Sequence, residues 1–143
     1  MRFSRYYSLT LLTSLLCIND AAIRQAVYVR GKLLCGSSPA SRVRVKIFDE
    51  DAGVDPDDKI AEGLSNNKGE FDLGGSIAEL TTVDPLVKIY HDCDDTTKPG
   101  QRKLVFRLPK HYVVGADHTK KYFDFGILNL ETIFPGEQRS FIR

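Results

Sequence analysis

Residues 84–95 read DPLVKIYHDCDD, and this stretch has the clearest strand pattern in the chain. Pro85 has no N–H to donate, so it suits the first position of a strand. Apolar and polar residues alternate after it, which places Val87, Ile89 and Cys93 on one face. The pattern predicts a strand that carries a cysteine toward the core.

Residues 1–21 have the pattern of a secretory signal peptide, because basic residues precede the short apolar run 9–17. We expect cleavage after Ala21 or Ala22, an extracellular location, and one domain over residues 22–143. A short amphipathic helix or a signal anchor is the alternative. No apolar run is long enough for a transmembrane segment.

Signal cleavage would remove Cys17 and leave Cys35 and Cys93. Two cysteines in an exported protein most simply form one disulfide. The loop it would close is long, so the chain-entropy relation gives a stabilisation of roughly 4 kcal/mol. Neither cysteine belongs to a Cys-x-x-Cys pair, which argues against a zinc or redox site.

Strand patterns recur along the rest of the chain, with turn residues between them. Gly31 indicates a bulge or a close backbone approach, residues 66–69 a hairpin turn, and Gly74 with Gly75 the end of a strand. About seven short strands predict an all-β fold, an antiparallel β-sandwich. The predicted strands are residues 25–35, 43–47, 60–65, 70–73, 86–93, 103–108 and 122–130.

An acidic loop follows the second predicted strand, and its carboxylates are of the kind that calcium prefers. The spacing does not match an EF-hand loop, and a solvated hairpin loop explains the same residues. The candidate ligands are Asp49, Asp51, Asp55, Asp57 and Asp58.

Basic residues dominate the segment 98–121, although the chain is close to neutral overall, with a formal net charge of +1. They are either the solvated faces of two strands or a surface for an anionic ligand such as a lipid headgroup. Near-neutrality argues against a nucleic-acid partner. The candidate ligand- or lipid-binding residues are Lys98, Arg102, Lys103, Arg107 and Lys110.

Short motifs recur over nearly the whole predicted domain. They are Val29-x-Gly31-x-Leu33-x-Cys35, Val43-x-Val45-x-Ile47-x-Asp49, Ser65-x-x-x-Gly69-x-Phe71-x-Leu73, Ile89-Tyr90-His91-Asp92-Cys93, Lys98-Pro99-x-Gln101-Arg102-Lys103 and Gly136-Glu137-x-Arg139. Through these motifs the sequence resembles the nematode transthyretin-like family.

This resemblance implies a transthyretin (prealbumin) fold, and it makes a homo-oligomer plausible. Family members typically carry two more cysteines, at the places that Gly100 and Phe141 hold here. If those two are partners, Cys35 and Cys93 remain as the pair. The resemblance then implies a more mobile tail, residues 139–143, than in relatives.

The resemblance does not favour catalysis. One branch with this fold hydrolyses 5-hydroxyisourate through a C-terminal Tyr-Arg-Gly-Ser signature, whereas this chain ends QRSFIR, and its histidines are scattered. We expect a secreted, non-enzymatic binding module without a cofactor. Its partner would be a lipid, a small apolar ligand or a cell-surface protein, with bridging of anionic phospholipid included. The alternatives are a structural or matrix-associated protein and, least favoured, a hydroxyisourate hydrolase.

Overall fold

The computed structural model describes residues 22–51, 57–95 and 97–142, and these segments contain ten β-strands and one 3-10 helix. The predicted signal peptide lies outside them. The strands are β1 (Ile23–Cys35), β2 (Ser38–Pro39), β3 (Arg44–Asp49), β4 (Asp58–Leu64), β5 (Glu70–Glu79), β6 (Pro85–His91), β7 (Gln101–Arg107), β8 (Val114–Gly115), β9 (Tyr122–Asn129) and β10 (Gln138–Ser140), and the 3-10 helix is Lys110–Tyr112.

Two sheets form the sandwich, which confirms the predicted all-β fold. In one sheet, β1 is central: β5 and β2 pair with it, and so do β8 and β9. The other sheet has the order β10-β7-β6-β3-β4. We name them the β1 sheet and the β6 sheet. All strand pairs are antiparallel except β1 with β9, which is parallel.

Alternating side chains build the core between the sheets. Val29 and Leu33 of β1 face Ile47, Ile89 and Leu104 of the β6 sheet, and all five are fully or almost fully buried. On β3 and β7 the residues of opposite parity are at least partly exposed, whereas in β6 Leu86 and Tyr90 are buried although they lie on the outer face. Burying one such aliphatic side chain contributes about 1.5–3 kcal/mol.

β5 is longer than the sequence indicates, because Gly74 and Gly75 do not end it. The strand continues to Glu79 and pairs with β1 as far as Ile23. Tyr28 lies opposite Gly74, and a Cβ at Gly74 would be 2.1 Å from the Tyr28 ring. The aromatic ring covers the glycine and takes the space of its missing side chain.

The turn at residues 66–69 is present but does not form the predicted hairpin. Gly69 has φ +76° and donates its N–H to the Asn66 carbonyl. The flanking strands, β4 and β5, then enter different sheets. The turn therefore connects the two layers instead of pairing neighbouring strands.

Gly31 lies at a β-bulge and at a close approach to its backbone, the two alternatives that the sequence leaves open. The β1–β9 register shifts between Arg30 and Lys32, so Gly31 lies at a bulge. A Cβ at Gly31 would lie 2.9 Å from the Phe71 ring and 3.0 Å from Phe125 Cβ. The core aromatic residues thus leave no room for a side chain.

The predicted disulfide between Cys35 and Cys93 is confirmed, with a Cα–Cα distance of 5.7 Å. Cys35 ends β1 and Cys93 follows β6, so the bond joins the two sheets. It closes a loop with a sequence separation of 58 residues.

Replacing both Cys35 and Cys93 with alanine should lower the free energy of unfolding by about 4 kcal/mol, because the unfolded chain gains loop entropy. Urea unfolding of the oxidised protein and the double variant measures the difference. Wild type treated with reductant is the control and should match the variant. A loss below about 1 kcal/mol would contradict this stabilising role.

Candidate functional site

Arg102 lies inside the protein, and only 7% of its surface is exposed. Its Nε and Nη2 pair with both carboxylate oxygens of Glu137, and Nη2 is 2.9 Å from Oε2. Nη1 donates to the carbonyls of Cys93 and Leu130, and Nη2 also donates to Thr132. All five N–H groups of the guanidinium are used within the protein. Arg102 therefore has no donor left for the lipid-binding role proposed from the sequence.

Arg139 makes a second ion pair beside Arg102. It donates to Asp95 at 2.6 Å and to the Pro99 carbonyl at 2.9 Å. Its backbone pairs with Arg102 through β10. Arg139 and Ser140 are thus anchored in β10, and greater mobility of residues 139–143 than in relatives stays a prediction.

Arg107 and Lys110 lie near the far end of β7 and are exposed. Arg107 donates from Nε to Glu50 at 3.0 Å, and Lys110 pairs with Asp84 at 2.8 Å. The carboxylates offset both positive charges. Lys98 is also exposed, but it lies in the loop before β7, away from this pair along the chain. The five candidate cations do not form one surface.

Lys103 does belong to a cluster, with partners that the sequence did not indicate. On the outer face of the β6 sheet, Lys46 pairs in register with Lys88, and Arg44 and Lys103 flank Tyr90. We call Arg44, Lys46, Lys88 and Lys103 the basic face. These residues come from three strands that are adjacent in space but distant in sequence.

Aromatic rings and two carboxylates accompany the basic face. The Lys88 ammonium lies 4.2 Å from the Phe48 ring centroid and 2.7 Å from Asp57. The Lys46 ammonium lies 5.1 Å from the Tyr90 ring centroid. Arg44 pairs with Glu62. Among the described residues, Lys46 and Lys103 form no salt bridge.

The pKa of Lys103 reflects first its burial and then its charged neighbours. Burial holds the pKa of the Lys103 amine below its usual value, and the charge of Lys88 lowers it further. Lys46 acts in the same direction, and Asp57 opposes it. An anion placed here would relieve this repulsion.

The predicted calcium ligands are only partly within the described residues, since Asp55 lies outside them. Asp49 is buried and accepts the Asp84 N–H at 2.8 Å; burial raises the pKa of its carboxyl. Asp57 is engaged by Lys88. In residues 22–51, 57–95 and 97–142, no three potential ligand side chains gather into a metal site. Calcium binding therefore stays a prediction from the sequence alone.

His91 is buried, with 3% of its surface exposed, and faces inward beside Arg102. Burial, and after it the positive charge of Arg102, lowers the pKa of His91 to about 4. The ring is therefore neutral near pH 7, and its Nδ1 accepts the Cys93 N–H. His111 is by contrast exposed and stacks against Tyr112.

Comparison with known proteins supplies the family. The transthyretin-like family (TTR-52) matches residues 30–109. The chain belongs to the transthyretin-like family. Transthyretin-like protein 46 of Caenorhabditis elegans is 49% identical over 133 residues, which cover 92% of this chain and 74% of that protein.

Two further transthyretin-like relatives, both from Caenorhabditis elegans, show similar coverage. Protein 5 is 43% identical over 80% of this chain and 83% of its own length, and protein 33 is 40% identical over 85% of each. A solved 9R-lipoxygenase structure from Cyanothece PCC8801 aligns at 21% identity and a TM-score of 0.42, over 73% of this chain and 16% of that chain.

The geometry explains two motifs that underlie the transthyretin-like resemblance. Arg102 comes from Lys98-Pro99-x-Gln101-Arg102-Lys103, and its partner Glu137 comes from Gly136-Glu137-x-Arg139. Arg139 of the second motif holds Asp95, which lies just before the first. In this protein both motifs therefore serve the internal ion pairs.

Replacing Arg102 with alanine should cost about 3–5 kcal/mol of stability, because it leaves Glu137 charged and poorly solvated beside three carbonyls without donors. The exposed Arg107→Ala variant is the matched control and should cost at most about 1 kcal/mol. Urea unfolding of both variants measures the contrast. Equal losses of stability in the two variants would show that the buried Arg102–Glu137 pair contributes no more than an exposed pair.

Stability should fall as pH decreases from 6.5 toward 4, because His91 is protonated in the unfolded chain but stays neutral in the fold. The expected loss between pH 7 and pH 4.5 is roughly 2–3 kcal/mol. Glu137 and Asp95 have lowered carboxyl pKa values, so their contribution is lost at lower pH.

Urea unfolding at both pH values checks this expectation. A His91→Asn variant retains an acceptor for the Cys93 N–H but cannot be protonated. Its free energy of unfolding should therefore fall less than that of wild type between the two pH values. If wild type and variant show the same pH dependence, His91 is not the group responsible.

Proposed function

We propose that this protein is a secreted, non-enzymatic binding module that contacts anionic phospholipid with the basic face. The observation that carries the proposal is the cluster of Lys46, Lys88 and Lys103 on the outside of one sheet. Burial lowers the pKa of Lys103, and the charges of Lys88 and Lys46 lower it further, a repulsion that an anionic partner would relieve. The basic run before residues 9–17 supports export.

The shape of the basic face suits a membrane surface. Side chains on one face of a sheet stand roughly side by side, so the ammonium groups of Lys46 and Lys103, which form no salt bridge among the described residues, can meet phosphates together. Each basic residue near an anionic membrane contributes about 1 kcal/mol of attraction. Tyr90 and Phe48 lie beneath the ammonium groups and add apolar area.

The outer face of the β1 sheet does not offer the same charge. Arg30 lies in register between Asp72 and Asp124 and pairs with Asp124 at 3.0 Å. Lys32 lies opposite Glu70. Opposite charges alternate there, so an extended anionic surface meets repulsion as well as attraction. The two faces of the sandwich therefore differ in what they attract.

The buried position of His91 supports the proposed non-enzymatic role. His91 is buried and neutral near pH 7, and its Nδ1 is occupied by the Cys93 N–H. It is therefore poorly placed to act as a general base. The described part of the chain contains no helix with the length and apolar character of a membrane span. We propose a peripheral contact with the membrane, made by side chains of the β6 sheet.

Co-sedimentation with vesicles tests the proposal. The oxidised protein should bind vesicles that contain phosphatidylserine, should not bind phosphatidylcholine alone, and should bind more weakly at higher salt. Replacing Lys46 and Lys103 with glutamine should weaken binding roughly 10- to 30-fold. The reason is the loss of two ammonium groups from the contact surface.

A matched variant, Lys32→Gln with Lys68→Gln, changes net charge equally but leaves the basic face intact. It should bind almost as well as wild type. If both double variants lose binding equally, net charge and not the basic face determines binding. If the protein is retained on heparin but does not bind vesicles, its ligand is a sulfated glycan and not a lipid.

A further inference from the structure

A shallow trough of about 450 Å³ lies on the outer face of the β1 sheet, on the other side of the sandwich from the basic face. β1 and β9 lose register at Gly31, where β9 carries a bulge that includes Gly126 with φ +64°. A Cβ at Gly126 would meet no atom of the described chain within 4 Å, so the space above it is open. Exposed and half-exposed side chains of β5, β1 and β9 surround these glycines, and a ligand can reach them directly from solvent.

The charged side chains around the trough include both donors and acceptors that other residues leave unused. Among the described residues, Arg30 uses only Nε, which donates to Asp124 at 3.0 Å, so its two Nη groups remain. The side chains of Lys32, Glu70 and Asp72 make no hydrogen bond or salt bridge within the described part of the chain. Across β1 and β5, Lys32 lies opposite Glu70 and Arg30 lies opposite Asp72. Donors and acceptors therefore alternate along one short stretch of the sheet.

Asn66 adds an oriented donor at the edge of the trough. Its Oδ1 accepts the N–H groups of Lys68 and Glu70, both at 2.9 Å. These two backbone donors fix which end of the amide is oxygen and which is nitrogen. Nδ2 makes no hydrogen bond to the described residues, and Asn66 is exposed. The turn thus presents an amide N–H₂ group to the trough.

Two tyrosine rings continue the same face of the sheet beside the trough. Tyr28 and Tyr122 pair in register, with ring centroids 5.6 Å apart. The Arg30 guanidinium lies 5.2 Å from the Tyr122 ring centroid and connects the rings to the trough. Lys120 lies 5.2 Å from the Tyr28 ring centroid, but it is exposed, and such cation–π contacts are weak. Ile127, which is 67% exposed, adds apolar surface to the trough itself.

The charges around the trough nearly cancel, which favours a neutral ligand. The cations are Arg30 and Lys32, and the carboxylates are Glu70, Asp72 and Asp124. An extended anion or cation would meet like charges at several of these places. A ligand rich in hydroxyl groups would not, and each hydroxyl both donates and accepts hydrogen bonds. The negatively polarised faces of the tyrosine rings attract the C–H groups of a sugar ring.

We propose that this trough binds a neutral oligosaccharide. Sugar hydroxyl groups accept from the Arg30 Nη groups and Asn66 Nδ2 and donate to the Asp72 carboxylate, while the C–H face of one ring packs on Tyr122. Residues 28–32 of β1 span roughly 13 Å, so the ligand is a short chain and not a single sugar ring. This site is independent of the proposed membrane contact, because the two use opposite sheets and different residues.

Nuclear magnetic resonance of the 15N-labelled, oxidised protein tests the site with three neutral probes, the trisaccharides of glucose, mannose and N-acetylglucosamine. At least one should shift the amide signals of Gly31, Asp72 and Gly126 and the Nε signal of Arg30 saturably. The cationic, deacetylated form of the last probe is the charged comparator and should bind no more tightly than its neutral parent. Tighter binding of the cationic form would make the trough an amine site and overturn the proposal. Absence of shifts with all three neutral probes would also overturn it.

Variants locate the contact and separate it from the membrane surface. Tyr122→Ala and Asp72→Ala should each weaken trisaccharide binding roughly tenfold, because they remove the stacking ring or the acceptor. Tyr122→Phe keeps the ring and should bind like wild type. Wild-type affinity in both alanine variants would show that the trough is not the site.

The double variant Lys46→Gln with Lys103→Gln is the matched control on the other sheet. It should lose vesicle binding but keep the trisaccharide shifts of wild type. If it loses these shifts, the sugar binds at the basic face and the assignment is wrong. If wild type binds a trisaccharide but no vesicle, the membrane proposal alone fails.

Discussion

The buried guanidinium of Arg102 is the interaction on which one end of this transthyretin-like protein depends. It binds the carbonyls of Cys93, Leu130 and Thr132 and both oxygens of Glu137. Residues that follow β6, β9 and the loop before β10 are thus held by one side chain. A lysine could not make this set of contacts, because only the guanidinium has five donors in a fixed plane.

The disulfide and Arg102 act at the same place in the fold. Cys93 is joined to β1 through Cys35, and its carbonyl is bound by Arg102. His91 then bonds the Cys93 N–H, so every polar part of this residue is fixed. These three contacts therefore stabilise the same end of the sandwich.

Alternation of apolar and polar residues was sufficient to predict the sandwich and its long strands. It located Val87 and Ile89 in the core, because core positions follow the local period of a strand. The disulfide was indicated by the cysteine count. It did not show where β5 ends. That extent depends on Tyr28 of a distant strand, which covers Gly74.

The candidate site was harder to predict for a related reason. Lys46 and Lys88 alternate clearly with core residues, but their closeness to Lys103 depends on strand order, which the sequence does not show. Arg102 looked like a surface cation because its neighbours in the chain are basic. It shares the inward face with Leu104, two residues later, but the strand was predicted to begin at residue 103, and its partner Glu137 is 35 residues away.

The parallel pairing of β1 with β9 has a consequence for the order in which the protein folds. Arg30 and Asp124 meet across this pair although they are 94 residues apart. At a synthesis rate of 5–20 residues per second, β1 waits roughly 5–20 s before β9 exists. During this interval β5 already can pair with one edge of β1, while the other edge stays open. The nascent chain therefore keeps one edge of β1 unpaired until β9 is made, and an unpaired edge is a place where another chain can pair.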